Sequence, residues 1–273
     1  MPFVMTKAPR VTTKGELTYN TYLRVPELLS LQVPQTQPAH HDEMLFIIIH
    51  QAYELWFKLV LHELENAVRY MNEGRVLRAR HFVDRVVEIF RLLVPQIHVL
   101  ETMTPAEFLQ FRHALNPASG FQSVQFREVE FAAGLQDERY IRFFKNDPAA
   151  QARLRARMEA PTVRDAYYSL LRRLGADIPE GPWSEEDEER VLDALLPIYQ
   201  NPEEMLPRYL LTESLIDLDE YLGLWREHHV RVVERIIGHK PGTGGSSGVG
   251  YLKSTTAKKA FPLLWRVRTR LDV

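Results

Sequence analysis

Leu211, Leu215, Leu218, Leu222, Trp225, His229, Val232 and Ile236 recur at alternating steps of four and three, the spacing that lines one face of a long helix. His229 is the polar interruption of that seam. Its neighbour His228 falls on the side that carries Arg231 and Arg235, so the pair reads as one buried imidazole and one solvated one. Burying an unpaired polar group costs roughly 1–3 kcal/mol. His229 therefore needs a partner, and a backbone carbonyl, another side chain or a metal ion would each serve. Gly238 ends the helix, Lys240-Pro241 forbids its continuation, and Gly242-Thr243-Gly244-Gly245-Ser246-Ser247-Gly248-Val249-Gly250 follows, with five glycines in nine residues. Such a loop can approach a ligand closely, and a surface linker is its other reading. It is not a P-loop, because no Lys-Ser or Lys-Thr closes it, and no strand precedes it for a dinucleotide fingerprint.

A second dense region runs from Pro38 to Lys58. On its helix Gln51, Glu54, Lys58, His62 and Glu65 form a narrow polar stripe, and the remaining circumference is apolar, which predicts burial on most sides. His50 lies at the rim of the stripe, one turn from Phe46 and one from Glu54; spacing alone fits a helix-bonded histidine as well as a site residue. Phe108 and Arg112 share a helix face one turn apart. Guanidinium grips a carboxylate through two parallel hydrogen bonds, although an arginine near a helix end is often only solvated.

Familiar metal motifs are missing, and nothing supports a hydrolase triad. Ten histidines invite a metal, yet no Glu-x-x-His of a di-iron bundle and no His-Glu-x-x-His of a zinc hydrolase occurs. His40-His41-Asp42-Glu43 could bind a metal, and at a helix start it reads more simply as a solvated cap that suits the helix dipole. Gly244-Gly245-Ser246-Ser247-Gly248 matches the letters of Gly-x-Ser-x-Gly, but no strand precedes it to form a nucleophile elbow. The lack of cysteine removes disulfides, iron–sulfur clusters, thiolate-ligated haem and cysteine nucleophiles together. A single buried imidazole in a helical protein without cysteine suits haem iron, with an apolar pocket supplying most of the remaining binding energy. Trp225 and Val232 would stand in its wall, His50 on the opposite face, and Arg112 would hold a substrate.

The 273 residues carry 34 basic and 36 acidic side chains, intermixed, so neither nucleic acid nor an anionic membrane surface is an expected partner. Met1 to Glu16 lacks an apolar signal core, and no uninterrupted apolar run approaches membrane-spanning length, so a cytoplasmic protein is expected. Helical periodicity recurs almost everywhere and predicts helices near 40–72, 75–101, 105–115, 122–134, 138–145, 149–159, 162–174, 185–199, 203–237 and 255–268. Thr104-Pro105-Ala106-Glu107 is a capping box with proline at the first helical position, Ser184 with Asp187 is a weaker one, and Pro95 should kink its helix. The expectation is an all-α fold, one domain over 18–273 of about ten to twelve helices with the pocket between the long ones, preceded by a polar arm over 1–17.

The segments Pro38-Ala-His-His-Asp-Glu-Met-Leu-Phe-Ile-Ile-Ile-His50, Leu100-Glu-Thr-Met-Thr-Pro105, Phe111-Arg112, Ser119-Gly-Phe-Gln-Ser123 and Gly242 to Gly250 together resemble the tryptophan 2,3-dioxygenase family. The likeness runs from about Leu17 to the C-terminus. It implies an enzyme with one haem b per subunit that inserts both atoms of dioxygen across the indole C2–C3 bond of L-tryptophan. The product would be N-formyl-L-kynurenine, the first step of tryptophan catabolism by the kynurenine pathway. It further implies His229 as the axial ligand of the iron, with Trp225, Ser119 and Gly120 against the haem. His50 becomes the distal histidine that takes the indole N–H. Phe46, Ile47, Ile48, Ile49 and Phe108 line the substrate pocket, Arg112 grips the carboxylate and Thr243 helps hold the ammonium. Tyr19 and Tyr22 match tyrosines that reach into a neighbouring subunit's site, which implies a homotetramer built as a dimer of dimers. Asn20, where relatives commonly have glycine, and Ile97, a tryptophan in some members, are departures. They leave open a substituted tryptophan as substrate or monooxygenation to an oxindole, and a non-catalytic haem sensor is a further alternative.

Overall fold

The computed structural model describes residues 17–242 and 248–271, so residues 1–16 of the expected arm, and Thr243 with its neighbours up to Ser247, lie outside the described residues. Tyr19–Leu23 (α1) and Val25–Leu28 (α2) are short helices that the apolar pattern did not announce. They precede His41–Asn72 (α3), Val76–Leu100 (α4), Pro105–Phe111 (α5) with a 3-10 turn at Arg112–Leu115, a second such turn at Gly120–Gln122, and Val124–Ala133 (α6). Arg139–Phe143 (α7), Pro148–Glu159 (α8), Val163–Arg173 (α9), Glu185–Gln200 (α10) and Leu206–Ile237 (α11) continue the chain. Val249–Lys253 (α12), Pro262–Arg266 (α13) and a 3-10 turn at Val267–Arg270 follow, and the described residues contain no strand.

Helix starts follow the local chemistry. Thr104 Oγ1 accepts the Glu107 N–H at 3.2 Å while Glu107 accepts the Thr104 N–H at 2.8 Å, with Pro105 at the first position. Ser184 and Asp187 close the same box at the head of α10. At the head of α3 the His40 Nδ1 accepts the Asp42 N–H at 3.2 Å, so His40 is a cap. Glu43 is not solvated, as its position suggested, but fully buried: it accepts hydrogen bonds from the Gln35 N–H at 2.6 Å and from the Thr36 N–H and hydroxyl. The His40–Glu43 cluster therefore anchors the preceding segment, and no group of three potential metal ligands occurs among the described residues. Helix α4 continues through Pro95 to Leu100.

The three long helices set the architecture. Only residues 73–75 join α3 to α4, which makes them antiparallel neighbours, and the Tyr53 hydroxyl donates to the Leu93 carbonyl at 3.2 Å between them. Helix α11 runs parallel to α4: Ser214 donates to Asp84 near one end, and Arg235 pairs with Glu101 at 3.6 Å near the other. Between them lie Val60, Leu64, Val83, Val86, Phe90, Leu93, Leu211, Leu215, Leu218 and Leu222, all buried in one cluster. Each contributes about 1.5–3 kcal/mol by leaving water. The register of these contacts brings His50, Ile97 and His229 to one level of the three-helix stack.

Two expectations about α3 change. Met44, Ile48 and Leu55 stand 38%, 48% and 54% exposed, so one apolar face of this helix remains uncovered within the chain. Helix α3 is also long and apolar enough to cross a membrane by length and composition. Isolated charges interrupt each of its apolar runs, and here the helix packs on α4, α6 and α9.

The expected helix over 255–268 forms only at its C-terminal end. Ahead of it the Asp219 carboxylate, buried on α11, accepts the Ala260 N–H at 2.7 Å, the Phe261 N–H at 3.1 Å and the Trp265 indole N–H at 2.9 Å. A carboxylate from another helix thus takes amide hydrogens that a helix would have kept for itself. Replacing Asp219 with alanine strands two buried donors and one half-buried one, and urea unfolding should show a loss of about 3 kcal/mol; a loss below about 1 kcal/mol would contradict this account of the C-terminal segment.

Candidate functional site

A cavity of about 520 Å³ lies where α3, α4, α5, α6 and α11 meet, closed by Leu115–Ser123 on one side and Gly248–Thr255 on another. Helix periodicity selects its lining from α3: Phe46, His50, Tyr53, Glu54 and Phe57 recur on one face. Ile97 and Leu100 come from α4, Phe108 from α5, Arg112 from the 3-10 turn that follows it, and Trp225, His229, Val232 and Ile236 from α11. The seam read from sequence thus changes partner along its length, packing on α4 as far as Leu222 and facing the cavity from Trp225 onward.

The two histidines share this space in distinct states. His50 Nδ1 lies 2.7 Å from the Phe46 carbonyl oxygen. Because a carbonyl only accepts, Nδ1 carries the hydrogen and Nε2 keeps a lone pair. Burial holds the His50 imidazole below its ordinary value of 6.5, against the opposing pulls of the Phe46 carbonyl and the Glu54 carboxylate. The Phe46 ring packs on His50 with centroids 4.1 Å apart and meets Phe108 at 5.7 Å. Burial, helped by His50 and Arg127, pushes His229 down to about 4. Its ring stacks on Trp225 at 5.2 Å and 19°, and neither ring nitrogen hydrogen-bonds another described residue. His229 is therefore a neutral imidazole with no hydrogen-bonding partner among the described residues, facing an apolar cavity.

Charge gathers at two places in the wall. Arg112 donates to the Pro241 carbonyl, at the foot of the glycine-rich segment. Elsewhere the buried Glu130 carboxylate accepts from Arg127 at 2.6 Å and from Arg226 at 2.7 Å. Burial would raise Glu130, but the two guanidinium groups outweigh it and hold it below the usual carboxylate value. Two arginines against one carboxylate leave an excess of buried positive charge, and Arg226 Nε has no partner among the described residues. A cofactor with an acidic edge and a metal that accepts neutral imidazole would satisfy both unmet demands, and the cavity volume falls within the roughly 300–1,000 Å³ of small-molecule sites.

The remaining expectations divide. Ser119 and Gly120 line the cavity, Ser119 capping the turn that Gly120 begins. Gly248 sits at φ +65, and a Cβ there would come within 2.7 Å of the Lys240 carbonyl oxygen, so this close approach of the two chain segments requires glycine. Ile47, Ile48 and Ile49 do not line the cavity: one and two steps along the helix turn Ile47 and Ile48 away from the Phe46 face, with Ile48 facing outward, while Ile49 is buried in the neighbouring core. Tyr19 and Tyr22 are 75% and 70% exposed and lie off this chain's own cavity. Thr243 lies outside the described residues. The Arg127–Glu130–Arg226 cluster was missed. Its one trace in the sequence is Arg127 and Glu130 at a helical step of three, which equally describes a solvated pair.

Fold and cavity together define an all-α protein with two neutral imidazoles and a guanidinium around one ligand-sized pocket. A family profile described as Tryptophan 2,3-dioxygenase matches residues 5–196 and 190–271, and the chain belongs to the tryptophan 2,3-dioxygenase family. Among its relatives, the tryptophan 2,3-dioxygenase of Xanthomonas campestris pv. campestris (strain B100) is 44% identical over 266 residues, covering 95% of this chain and 89% of that one. The tryptophan 2,3-dioxygenase of a Nocardioides species is 47% identical over 262 residues, covering 94% and 96%. That of Xanthomonas oryzae pv. oryzae (strain PXO99A) is 43% identical over 266 residues.

The depressed His229 value carries a test on the cofactor-free protein. Its folded value of about 4 lies below the ordinary 6.5, so the unfolded chain binds the extra proton first. This group's share of stability is intact above pH 6.5 and is lost as pH falls from 6.5 towards about 4. Urea unfolding of wild type and His229→Leu should diverge across that window, the wild type losing more; parallel curves would contradict the assignment.

Proposed function

We propose that this chain converts L-tryptophan and dioxygen to N-formyl-L-kynurenine with haem b held in the cavity by His229. The observation that carries the reading is the neutral His229 imidazole, which hydrogen-bonds no other described residue, in an apolar cavity that also presents His50 and Arg112. Trp225, Ser119 and Gly120 would lie against the cofactor, and the Arg127–Glu130–Arg226 wall offers positive charge to its acidic edge. When bound, haem would supply the iron at which dioxygen is activated.

The chain's own residues account for holding and aiming the substrate. Arg112 offers parallel N–H donors to the carboxylate, and Thr243 is assigned to the ammonium. The His50 Nε2 lone pair accepts the indole N–H, because Nδ1 is committed to Phe46. Indole N–H is too weak an acid for imidazole to ionise, so His50 orients the ring and does not remove its proton. Phe46 and Phe108 exclude water around the ring. With both ends held, C2 and C3 are presented in one orientation, and the entropy of alignment is spent on binding. Both oxygen atoms enter the product as the C2–C3 bond is broken.

A homotetramer, built as a dimer of dimers, belongs to the same reading. It is supported by the exposed apolar surface at Tyr19, Tyr22, Leu29, Leu31 and Val33 and on the outer face of α3 at Ile48 and Leu55. A cytoplasmic setting fits the cysteine-free composition.

Haem-loaded protein, reduced anaerobically and given L-tryptophan and oxygen, should produce absorbance at the kynurenine band and a product heavier by two oxygen atoms. A product heavier by one oxygen, or no product, would overturn the proposal. His229→Ala should abolish the Soret band of bound haem. His50→Ala should lower turnover without abolishing it. Because burial depresses His50 below 6.5, neutral His50 persists through mildly acidic solution, so the acid limb of the wild-type pH profile should lie below pH 6.5 and disappear in this variant. Complete loss of turnover in His50→Ala, with haem and tryptophan still bound, would refute the orienting role.

A further inference from the structure

We infer that Glu54 is a positioning residue of this site: its carboxylate pins the Ser119–Gln125 segment to α3 and so sets the distance between that segment and His50. Glu54 lines the cavity one turn beyond His50 on the same helix face. Its Oε1 accepts the Ser123 hydroxyl hydrogen at 2.6 Å and its Oε2 accepts from Gln125 Nε2 at 2.7 Å. The same amide nitrogen reaches the Glu54 backbone carbonyl at 2.9 Å. No basic side chain forms an ion pair with Glu54 among the described residues, so the carboxylate is spent on these two neutral donors.

Ser123 has no freedom to bond elsewhere. Its oxygen accepts the Phe126 N–H at 3.1 Å as the cap of α6, which leaves its one hydrogen for Glu54. From Ser123 the constraint passes back along a stiff turn, because the Ser119 N–H is held by Gln122 Oε1 at 3.2 Å and the Phe121 N–H by Ser119 Oγ at 3.3 Å. Ser119 and Gly120 lie in the cavity wall, so a shift at Ser123 moves the surface that faces the ligand. Position 54 must also be an acceptor on both atoms. Glutamine there turns an NH2 group toward one of two donors, which breaks one bond while leaving size unchanged.

The inference rests on the cavity being the tryptophan site, and the experiment separates the two. In full-length, haem-loaded protein, Glu54→Gln should speed amide hydrogen exchange across residues 120–124 without substrate, and raise KM for L-tryptophan about tenfold with kcat changed less than about threefold. Exchanging the partners, Glu54→Gln with Gln125→Glu, restores an amide–carboxylate pair and should recover most of the KM at unchanged Tm. Ser123→Ala, which removes the bond to Glu54 together with the cap of α6, should also raise KM and stands in if Glu54→Gln does not fold. Unchanged exchange and KM in the variants would overturn the inference, as would a raised KM that the exchanged pair leaves in place. A wild type that fails to turn over tryptophan would refute the functional reading instead, while amide exchange would still decide whether Glu54 pins the segment.

Discussion

Keeping two imidazoles neutral beside one another is the constraint around which this cavity is organised. His50 and His229 face a space walled largely by phenylalanine, leucine, isoleucine and valine side chains, and a proton on either would be poorly solvated there. Each would also repel the other, and Arg127 adds to the repulsion at His229. Positive charge is therefore carried by guanidinium groups at the wall and balanced in part by Glu130. The imidazoles are left as lone-pair donors, one with its tautomer set by the Phe46 carbonyl and the other with its ring plane set by Trp225.

This arrangement follows from how three helices pair. A short connection makes α3 and α4 antiparallel, whereas α11 returns parallel to α4 after more than a hundred residues. The lower halves of the helices fill their interface with aliphatic side chains. The upper halves border the cavity, which Ile97 on α4 lines together with the histidines of α3 and α11. Core and pocket are thus consecutive stretches of the same apolar seam.

Much of this was legible from the residues. The seam of α11, the capping boxes of α5 and α10, and the pairing of Phe108 with Arg112 are local patterns whose physics does not depend on the rest of the chain. His50 and His229 could be singled out because each interrupts or borders an apolar face. What was not legible depends on tertiary contact. Helices α1, α2 and α12 span five residues or fewer, too short for a period to show. The start of the predicted helix over 255–268 was overridden by Asp219, whose donors lie 41 to 46 residues away. Arg127, Glu130 and Arg226 look in sequence like ordinary solvated charges, and only the folding of α6 against α11 makes them a buried cluster.

The parallel return of α11 also bears on the order of assembly. Ser214 meets Asp84 across 130 residues, and Arg226 meets Glu130 across 96. Helices α3 to α6 are therefore complete well before the wall bearing His229 has been synthesised. Until it arrives, Phe46, Phe57, Phe108 and Phe126 border an open apolar groove, because a contact of such long range is closed late in folding. During translation this half-built pocket is the adhesive surface of the nascent chain, and an apolar molecule lodged in it would shield that surface before α11 closes over it.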